Sequence, residues 1–421
     1  MPPTAPLPVT RAPWRGRLLV LGSILASAFN LRTAVTSLTP LLDVLGKVFD
    51  FGASFAGVLG MVPTAAFAAF GVATPRIVHR LGLERTAHLA MLLAMVGLLL
   101  RSFALGPVSL LVASAISLAG MGMGNVVLPP LVKRYFPDRV GTVSSAYITI
   151  LQIGTLLPAL LAVPVAQAAG WRVSLGTWTL TAAAAAALWW SVRRVEKRAT
   201  STLANLHDKA VRQGDPAPEM PEVIDAPGKV WRTRLGWGMA LMFGMTSLNT
   251  YAMFTWLPRL LTEAGATPTF AGTMVALFSA LGLVGALCMP LIAVRVRNPY
   301  PIVLLCALFY AASFIGLLWA PMRAPVLWVA LLGMGPSTFP LTLTLINLRT
   351  RTQAASAALS GFMQGVGYTV SCLGPLLFGV LHEASGGWEL PFAFLTACIG
   401  VLLAGAWFAC KPQVLEDHWL R

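Results

Sequence analysis

Residues 18–42 read LLVLGSILASAFNLRTAVTSLTPLL, an apolar run that contains one charged residue, Arg32. About 20 consecutive apolar residues are enough to cross the hydrocarbon core of a bilayer as a helix. The run therefore predicts a membrane-spanning helix. The same length criterion predicts further spans at residues 53–75, 87–105, 108–131, 142–164, 173–191, 235–258, 270–292, 301–320, 325–346, 356–381 and 391–410, which makes twelve.

The composition agrees with a chain that lies largely in lipid. Of the 421 residues, 57% are hydrophobic and 11% are charged, and the mean hydropathy is +0.75. Soluble domains carry about 25% charged residues, so the composition excludes a soluble enzyme, a disulfide-rich secreted domain and a disordered chain. The sequence has no phosphate-binding glycine loop, nucleophile–base pattern or metal-type Cys/His spacing. We therefore predict no enzymatic activity, no cofactor and no metal site.

The net charge of +15 gives the expected topology. If both termini are cytoplasmic, 24 of the 30 Lys and Arg residues lie on the cytoplasmic side, as the positive-inside rule requires. Five lie on the opposite side: Lys47, Arg101, Arg172, Arg259 and Arg323. We expect a multi-pass protein of the bacterial inner membrane whose partners are lipid and a small molecule. Nucleic-acid binding is not expected.

A long polar stretch divides the spans into two sets of six. The predicted organisation is an N-terminal tail (1–17), a six-helix bundle (18–191), a linker (192–234), a second six-helix bundle (235–410) and a C-terminal tail (411–421). The halves repeat at offsets of 211 to 219 residues: Asn30 and Pro40 with Asn249 and Pro258, 124–129 with 335–340, Gln152 with Gln364, and 170–172 with 387–389. Parallel repeats of this kind predict a pseudo-two-fold axis along the membrane normal and a substrate path between the halves.

Several motifs resemble one transporter family. They are residues 29–34 (FNLRTA) with Pro40, Gly97 with Arg101, residues 124–137 (GNVVLPPLVKRYFP) and residues 170–172 (GWR). The chain resembles the major facilitator superfamily and, within it, the cyanate permease/2-nitroimidazole transporter group. The resemblance implies an all-α membrane protein with twelve transmembrane helices in two six-helix bundles, which works by alternating access.

The loop after the second span departs from the superfamily pattern G-x-x-x-D-R-x-G-R-R. Residues 75–85 read PRIVHRLGLER, so Arg80, Gly82 and Arg85 fit the pattern, but His79 replaces the acid. We expect these three residues to act in gating without the usual acidic partner, and Pro129 and Pro340 to mark kinks that permit motion. Positive charge that sets the topology, together with a tight glycine turn, also accounts for the loop.

Arg32 is the main candidate for binding. A charged residue inside a span costs about 2.5–3.5 kcal/mol, so it should face a partner or a wet cavity. All fifteen Asp and Glu residues map to loops, tails or span edges. We hypothesise that Arg32 binds an anionic or electron-rich solute, such as a carboxylate, cyanate or nitro compound. The alternative is that Arg32 caps helix carbonyls or pairs with Asp43 or Glu263.

Other side chains near the span centres suit a small, polar, planar solute. They are Phe29, Asn30, Asn125, Tyr147, Gln152, Asn249, Tyr251, Trp256, Gln364 and Tyr368. Phe29 and Trp256 could stack on such a solute, and each of the polar residues could instead serve hydrogen bonding between helices. The predicted function is secondary transport of such a solute by a monomer. The alternatives are a multidrug-type exporter and a membrane receptor. Protons are a candidate coupling ion, although no span centre carries an Asp, Glu or His.

Overall fold

The computed structural model describes residues 14–51, 53–213 and 229–418, in which the regular elements are α-helices and short 3-10 turns. The first half contains α1 (Trp14–Asn30), α2 (Thr33–Thr36), α3 (Leu42–Phe49), α4 (Ala53–Leu81), α5 (Leu83–Ser102), α6 (Pro107–Tyr135), α7 (Val140–Ala169), α8 (Trp171–Gly176) and α9 (Trp178–Gln213). The second half contains α10 (Arg234–Glu263), α11 (Pro268–Ala293), α12 (Tyr300–Trp319), α13 (Pro325–Met334), α14 (Thr338–Leu348), α15 (Gln353–Ser371), α16 (Leu373–Ser385) and α17 (Glu389–Ala409).

All twelve predicted spans are helical. Ten stretches of the described chain are long and apolar enough to cross a membrane by themselves. The other two predicted spans, α9 and α10, carry more Trp, Thr, Gly and Asn among their apolar residues. Large apolar side chains such as Leu105, Leu180 and Trp319 are highly exposed, as expected of a surface that faces lipid.

Four spans predicted as single helices are each built from two. The first consists of α1 and α2, the sixth of α8 and α9, the tenth of α13 and α14 joined by a 3-10 turn at Gly335–Ser337, and the eleventh of α15 and α16. Pro336 lies in the turn of the tenth span, where it cannot donate a backbone N–H. The first span breaks at Leu31 and Arg32, with no proline or glycine at the break.

The ends of the two halves extend beyond the predicted boundaries. α1 begins at Trp14, inside the predicted tail, and α9 continues past residue 191 to Gln213, so part of the predicted linker is helical. Residues 1–13, 52, 214–228 and 419–421 lie outside the described residues. The domain boundaries themselves stay a prediction.

The two bundles meet along two main pairs of helices, α4 with α15 and α7 with α11. At the first crossing the backbones of Gly71 and Gly365 touch, because a Cβ added to Gly71 would lie 2.5 Å from the Gly365 Cα. At the second crossing the Ser145 hydroxyl donates to the Leu287 carbonyl at 2.8 Å. Small residues at such crossings let helix backbones approach closely.

One end of the molecule is closed by further contacts between the bundles. We call it the tail side, because Leu415 of the C-terminal segment donates its N–H there to the Arg349 carbonyl at 2.9 Å. The Lys133 ammonium, at the end of α6, donates to the Asn347 carbonyl and the Thr350 hydroxyl, each at 2.9 Å, and to the Thr350 carbonyl. We call this set the tail-side contact. A cation here meets the last carbonyls of α14, where the helix dipole is negative.

Candidate functional site

The break in the first span defines the candidate site. α1 ends at Asn30, α2 begins at Thr33, and Arg32 lies between them with φ −127° and ψ −8°. The Thr33 hydroxyl donates to the Asn30 carbonyl at 3.0 Å, and the Arg32 carbonyl accepts the N–H groups of Val35 and Thr36. The backbone groups near the break thus find local partners, as they must within a membrane. Arg32 therefore occupies a stable interruption of the span.

Two glycines of neighbouring helices allow close packing around the break. A Cβ added to Gly154 of α7 would overlap the Phe29 backbone, and a Cβ added to Gly124 of α6 would lie 2.6 Å from the Leu31 Cδ2. Real Cβ atoms do not approach so closely, because the atoms would overlap, and an interior packed at crystal-like density leaves little room for the neighbours to move. These glycines fix the residues just before Arg32 between α6 and α7.

The Arg32 side chain reaches the second bundle. It is 8% exposed, and its Nη2 donates to the Tyr368 hydroxyl of α15 at 2.7 Å. Its Nη1 donates to the Leu31 carbonyl at 3.3 Å, and its Cζ lies 4.7 Å from the centroid of the Phe67 ring. Arg32 is thus bound by a hydroxyl, a carbonyl and an aromatic face, all of them formally uncharged.

No carboxylate among the described side chains forms an ion pair with Arg32. Glu263, one of the two acids expected as alternatives, accepts from Arg259 at 2.8 Å and from Trp388 at 3.1 Å. The side chain of Asp43, the other alternative, lies outside the described residues. In the part of the chain that the structure describes, the Arg32 charge is therefore not neutralised by an acid.

An aromatic row extends from Arg32 into the second bundle. Phe67 of α4 lies 5.3 Å from Tyr368, Tyr368 lies 5.1 Å from Phe243 of α10, and Phe243 lies 5.2 Å from Phe339 of α14, all between ring centroids. Such distances are typical of favourable aromatic pairs. Apart from Tyr368, these rings are missing from the sequence prediction, because a Phe in an apolar span has the same sequence signature on a lipid face.

Two predicted residues next to Arg32 are engaged within the first bundle. Asn30 donates to the Ala26 carbonyl at 2.8 Å, and its side-chain oxygen accepts from Thr181 of α9 at 2.7 Å. Phe29 packs against Trp178, with 6.3 Å between ring centroids. Both therefore tie the first span to α9, which is the structural alternative for an intramembrane Asn.

Other predicted residues lie between the bundles or carry unsatisfied polar atoms. Gln364 donates to the Asn125 carbonyl at 2.9 Å, and the Gln152 amide lies against Gly282 of α11. Asn125 Nδ2 and the Tyr147 hydroxyl are buried and have no hydrogen-bond partner among the described groups. Buried polar atoms are normally hydrogen bonded, so these two are candidates to meet a polar solute.

The predicted residues of α10 divide into two groups. Asn249 donates to the Met245 carbonyl at 2.8 Å and keeps a buried Oδ1 without a partner among the described residues, while Tyr251, two residues further on, is half-buried. Trp256 donates to the Pro375 carbonyl at 2.9 Å and lies 6.3 Å from the ring centroid of His382. Trp256 therefore ties α10 to α16 and is not among the contacts of Arg32.

The predicted gating residues lie at the turn between α4 and α5, in the ends of these two helices, and inside α6 and α14. Gly82 has φ +83° and forms the turn between α4 and α5, while Arg80 and Arg85 are exposed. Pro129 lies inside α6 and Pro340 inside α14, both of them buried. Their part in gating stays a prediction.

A different acid binds a cation near this loop. Glu84, in the first turn of α5, is 4% exposed, pairs with Arg134 at 3.0 Å and accepts from the Tyr135 hydroxyl at 2.8 Å. An ion pair therefore forms near this loop even though His79 replaces the acid of the superfamily pattern. The Glu84–Arg134 pair joins α5 to α6 within the first bundle.

Comparison with known proteins decides the family. Residues 23–372 match the model described as the Major Facilitator Superfamily. The chain belongs to this superfamily. It is 31% identical to the "2-nitroimidazole transporter" of Escherichia coli (strain K12) over 93% of this chain and 94% of that protein. It is also 29% identical to the "Cyanate transport protein CynX" of the same organism over 96% of this chain and 99% of that protein.

The fold agrees with solved structures of the superfamily. The proton:xylose symporter XylE superposes with a TM-score of 0.73 at 12% identity, over 97% of this chain and 100% of that one. These matches confirm the predicted fold, a multi-pass all-α membrane protein with two six-helix bundles of the major facilitator type. They also confirm the predicted similarity to the cyanate and 2-nitroimidazole transporter group.

Proposed function

We propose that this chain is a secondary transporter that moves a small, planar solute carrying negative charge across the membrane by alternating access, with Arg32 as its anchor. The observation that carries the proposal is the buried Arg32 guanidinium, which has no carboxylate partner among the described residues and which binds both bundles. We further propose that the tail side is cytoplasmic, as the distribution of Lys and Arg indicates.

The charge of Arg32 favours an anion. Keeping a guanidinium inside a span costs about 2.5–3.5 kcal/mol, and a bound carboxylate or cyanate offsets that cost through charge-assisted hydrogen bonds. A guanidinium has five N–H donors, and the structure pairs two of its nitrogens with neutral groups, at Tyr368 and Leu31. An anion is a stronger acceptor than these neutral groups, so it would bind to the remaining donors in preference to a neutral solute.

Tyr368 gives the site a way to connect binding with motion. Its hydroxyl accepts from Arg32 and keeps a proton that it can donate to a solute. An anion held by both residues would join the first bundle to the second, and a ligand shifts a conformational equilibrium by its differential affinity for the two states. The Phe67 face beside the guanidinium suits a flat solute.

Coupling follows from the membrane potential. Moving one negative charge into an inside-negative cell costs about 2.3 kcal/mol per 100 mV. Import of an anion thus needs a proton or a counter-substrate, whereas export is electrically favourable. Since a midplane acid is not predicted, a proton that travels on the solute or an exchange reaction fits the chain best.

A second candidate function is export of small neutral aromatic compounds. The similarity to a 2-nitroimidazole transporter and the aromatic row favour it. In that case Arg32 would contact an electron-rich nitro group or nitrogen in place of a full negative charge.

Counterflow in proteoliposomes tests the proposal. Proteoliposomes that contain the purified protein are loaded with unlabelled cyanate or benzoate, and entry of the labelled anion is followed. Benzamide, the neutral analogue of benzoate, is tested in the same way. We expect Arg32-dependent counterflow of at least one anion, lost in Arg32→Gln and reduced in Arg32→Lys. The matched control is Arg323→Gln, an exposed arginine in a loop. Full anion counterflow in both Arg32 variants would refute the anchor role, and equal use of benzamide would favour the second candidate.

A further inference from the structure

A second arginine is buried near the break. Arg101, in the last turn of α5, is 0% exposed, although it lies at the span end where the sequence predicts it. Its Nη1 donates to the Ala34 carbonyl of α2 at 2.8 Å. Its Nε and Nη2 have no hydrogen-bond partner among the described groups. A fully buried guanidinium with two unused donors is unusual, because buried polar groups are normally paired.

The bond reaches the segment that carries Arg32. Ala34 lies two residues after Arg32, in the single turn of α2. The Leu38 N–H, which would bond to Ala34 in a regular helix, instead donates to the Val35 carbonyl at 3.2 Å. The Ala34 carbonyl thus accepts a hydrogen bond from Arg101 in place of the Leu38 N–H, and this bond ties α2 to α5.

The helix that presents Arg101 is itself held firmly. A Cβ added to Gly97, one turn before Arg101, would overlap the backbone of Ser117 in α6. The backbones of α5 and α6 are therefore in direct contact, which gives Arg101 a rigid base. Rigid support of this kind is what a precisely placed binding group requires.

A hydrogen bond to one carbonyl does not need a charge. The amide of a Gln supplies an N–H donor without the cost of burying a cation, yet this position carries a guanidinium. No described carboxylate forms an ion pair with Arg101, as is also true of Arg32. The segment around α2 therefore holds two buried positive charges, and charges interact more strongly in a protein interior than in water.

We infer that Arg101 is a positioning residue for Arg32 and that its charge makes the site select anionic over neutral solutes. Its hydrogen bond holds α2, and hence the break, in place. Its charge raises the positive potential that an anion at Arg32 meets. This inference rests on the proposed function, since it concerns the same site.

Binding measurements with a matched pair of solutes test the inference. Benzoate and benzamide have nearly the same shape and differ in charge, and isothermal titration of the purified full chain gives a Kd for each. In Arg101→Gln we expect the ratio of the benzoate Kd to the benzamide Kd to rise about tenfold, because one of the two buried positive charges near the bound anion is lost. In Arg101→Lys the ratio should stay within about twofold of the wild-type value.

Further variants separate the roles of the charge and the bond. Arg101→Met loses both, so the ratio should rise as in Arg101→Gln and exchange of the amide hydrogens of residues 33–38 should quicken. If Arg101→Gln does not fold, Arg101→Met and Arg101→Lys still provide the comparison of charge. If the ratio of the two Kd values is unchanged in Arg101→Gln or Arg101→Met while Arg32→Gln still loses anion binding, the inference about Arg101 is wrong and the proposed function stands. Absence of any Arg32-dependent binding of benzoate or cyanate overturns the proposed function as well.

Discussion

The first and seventh spans begin alike and then differ. Asn30 and Asn249, which match at an offset of 219 residues, each donate to the carbonyl four residues earlier at 2.8 Å. After Asn30 the helix breaks at Arg32. After Asn249 α10 continues unbroken to Glu263, and Tyr251 stands where the same offset places the counterpart of Arg32. The repeated scaffold thus carries a cation in one half and a phenol in the other.

The same division recurs at a second place in the molecule. Lys133, which makes the tail-side contact, corresponds to Thr344 at the offset of 211 residues that relates Gly124 to Gly335. In the second bundle, Arg32 meets the hydroxyl of Tyr368, and Lys133 meets carbonyls of Asn347 and Thr350. The first bundle therefore supplies charge and the second supplies neutral acceptors. Contacts of this kind can break and reform without leaving an acid unpaired.

The largest effect should come from the residue in which the halves differ most. Arg32→Gln should lower the uptake efficiency for an anion about 100-fold, since a charged hydrogen bond is worth about 1.5–3 kcal/mol and a long-range charge is lost too. Tyr251→Phe, at the matching position, should lower it less than about threefold. Initial rates of labelled anion uptake in proteoliposomes measure both. Equal losses in the two variants would contradict the proposed asymmetry.

Packing at the break offers the next test. Gly154 touches the Phe29 backbone, whereas the residue that corresponds to it at the Gln152–Gln364 offset is Val366. Gly154→Val should cost about 1–3 kcal/mol or more, because an added side chain overpacks α1 against α7. Thermal unfolding in detergent measures the loss. Gly272→Val is the control, because a Cβ at Gly272 meets nothing within 4 Å; a similar loss in both would contradict the explanation.

The Tyr368 hydroxyl should contribute less. Tyr368→Phe removes the hydroxyl and keeps the ring, so the aromatic row stays. The hydrogen bond that the hydroxyl donates to the solute, about 1 kcal/mol, is lost, which is roughly fivefold in affinity. Titration of the purified variant with benzoate gives the change. An affinity equal to that of the wild type would show that the hydroxyl does not take part in binding.

The tail-side contact should control which side of the protein is open. Lys133→Met removes three hydrogen bonds that cross between the bundles and should favour opening at the tail side. The reporter Thr350→Cys, buried in the closed state, gives up the Thr350 hydroxyl but keeps both carbonyl acceptors of Lys133. With Lys133→Met added, this reporter should react about fivefold faster with a membrane-impermeant maleimide, as for one net hydrogen bond lost. An Arg323→Gln background serves as the control. Unchanged labelling would mean that Lys133 does not hold this end closed.

The smallest effect concerns the far end of α10. The hydrogen bond from Arg259 lowers the pKa of the Glu263 carboxyl, which is largely exposed. Stability from this bond is present above the ordinary carboxyl pKa and is lost as the pH falls through the lowered value. Below about pH 4 the melting temperature of the wild type should thus fall slightly more steeply than that of Glu263→Gln. Parallel curves would contradict a folded-state role of this bond.

The fold could be predicted from sequence much further than the site could. Apolar length is sufficient to locate spans such as Tyr300–Trp319, because lipid demands a minimum number of apolar residues. The break at Arg32 has no such signal, since proline and glycine are absent there. The residues just before it pack against Gly154 and Gly124, which are distant in sequence.

Burial of individual side chains was also beyond prediction. Arg101 lies at a span end, where an exposed cation and a buried one give the same pattern, and its burial follows from tertiary contact with Ala34. Phe67, Phe243 and Phe339 are similar cases, because a spanning helix accepts Phe on every face. The polar candidates could be listed from sequence, but which of them meet at Arg32 depends on how the two bundles dock.

The contact between Gly71 and Gly365 has a consequence for the speed of transport. Where α4 crosses α15, the main chains of Gly71 and Gly365 touch beside the Val72 side chain, so a tilt of one bundle on the other requires little side-chain rearrangement at that point. Friction at the crossing should therefore be low. The activation enthalpy of the carrier cycle should then come from breaking the hydrogen bonds between the bundles, such as those donated by Lys133, Ser145 and Gln364.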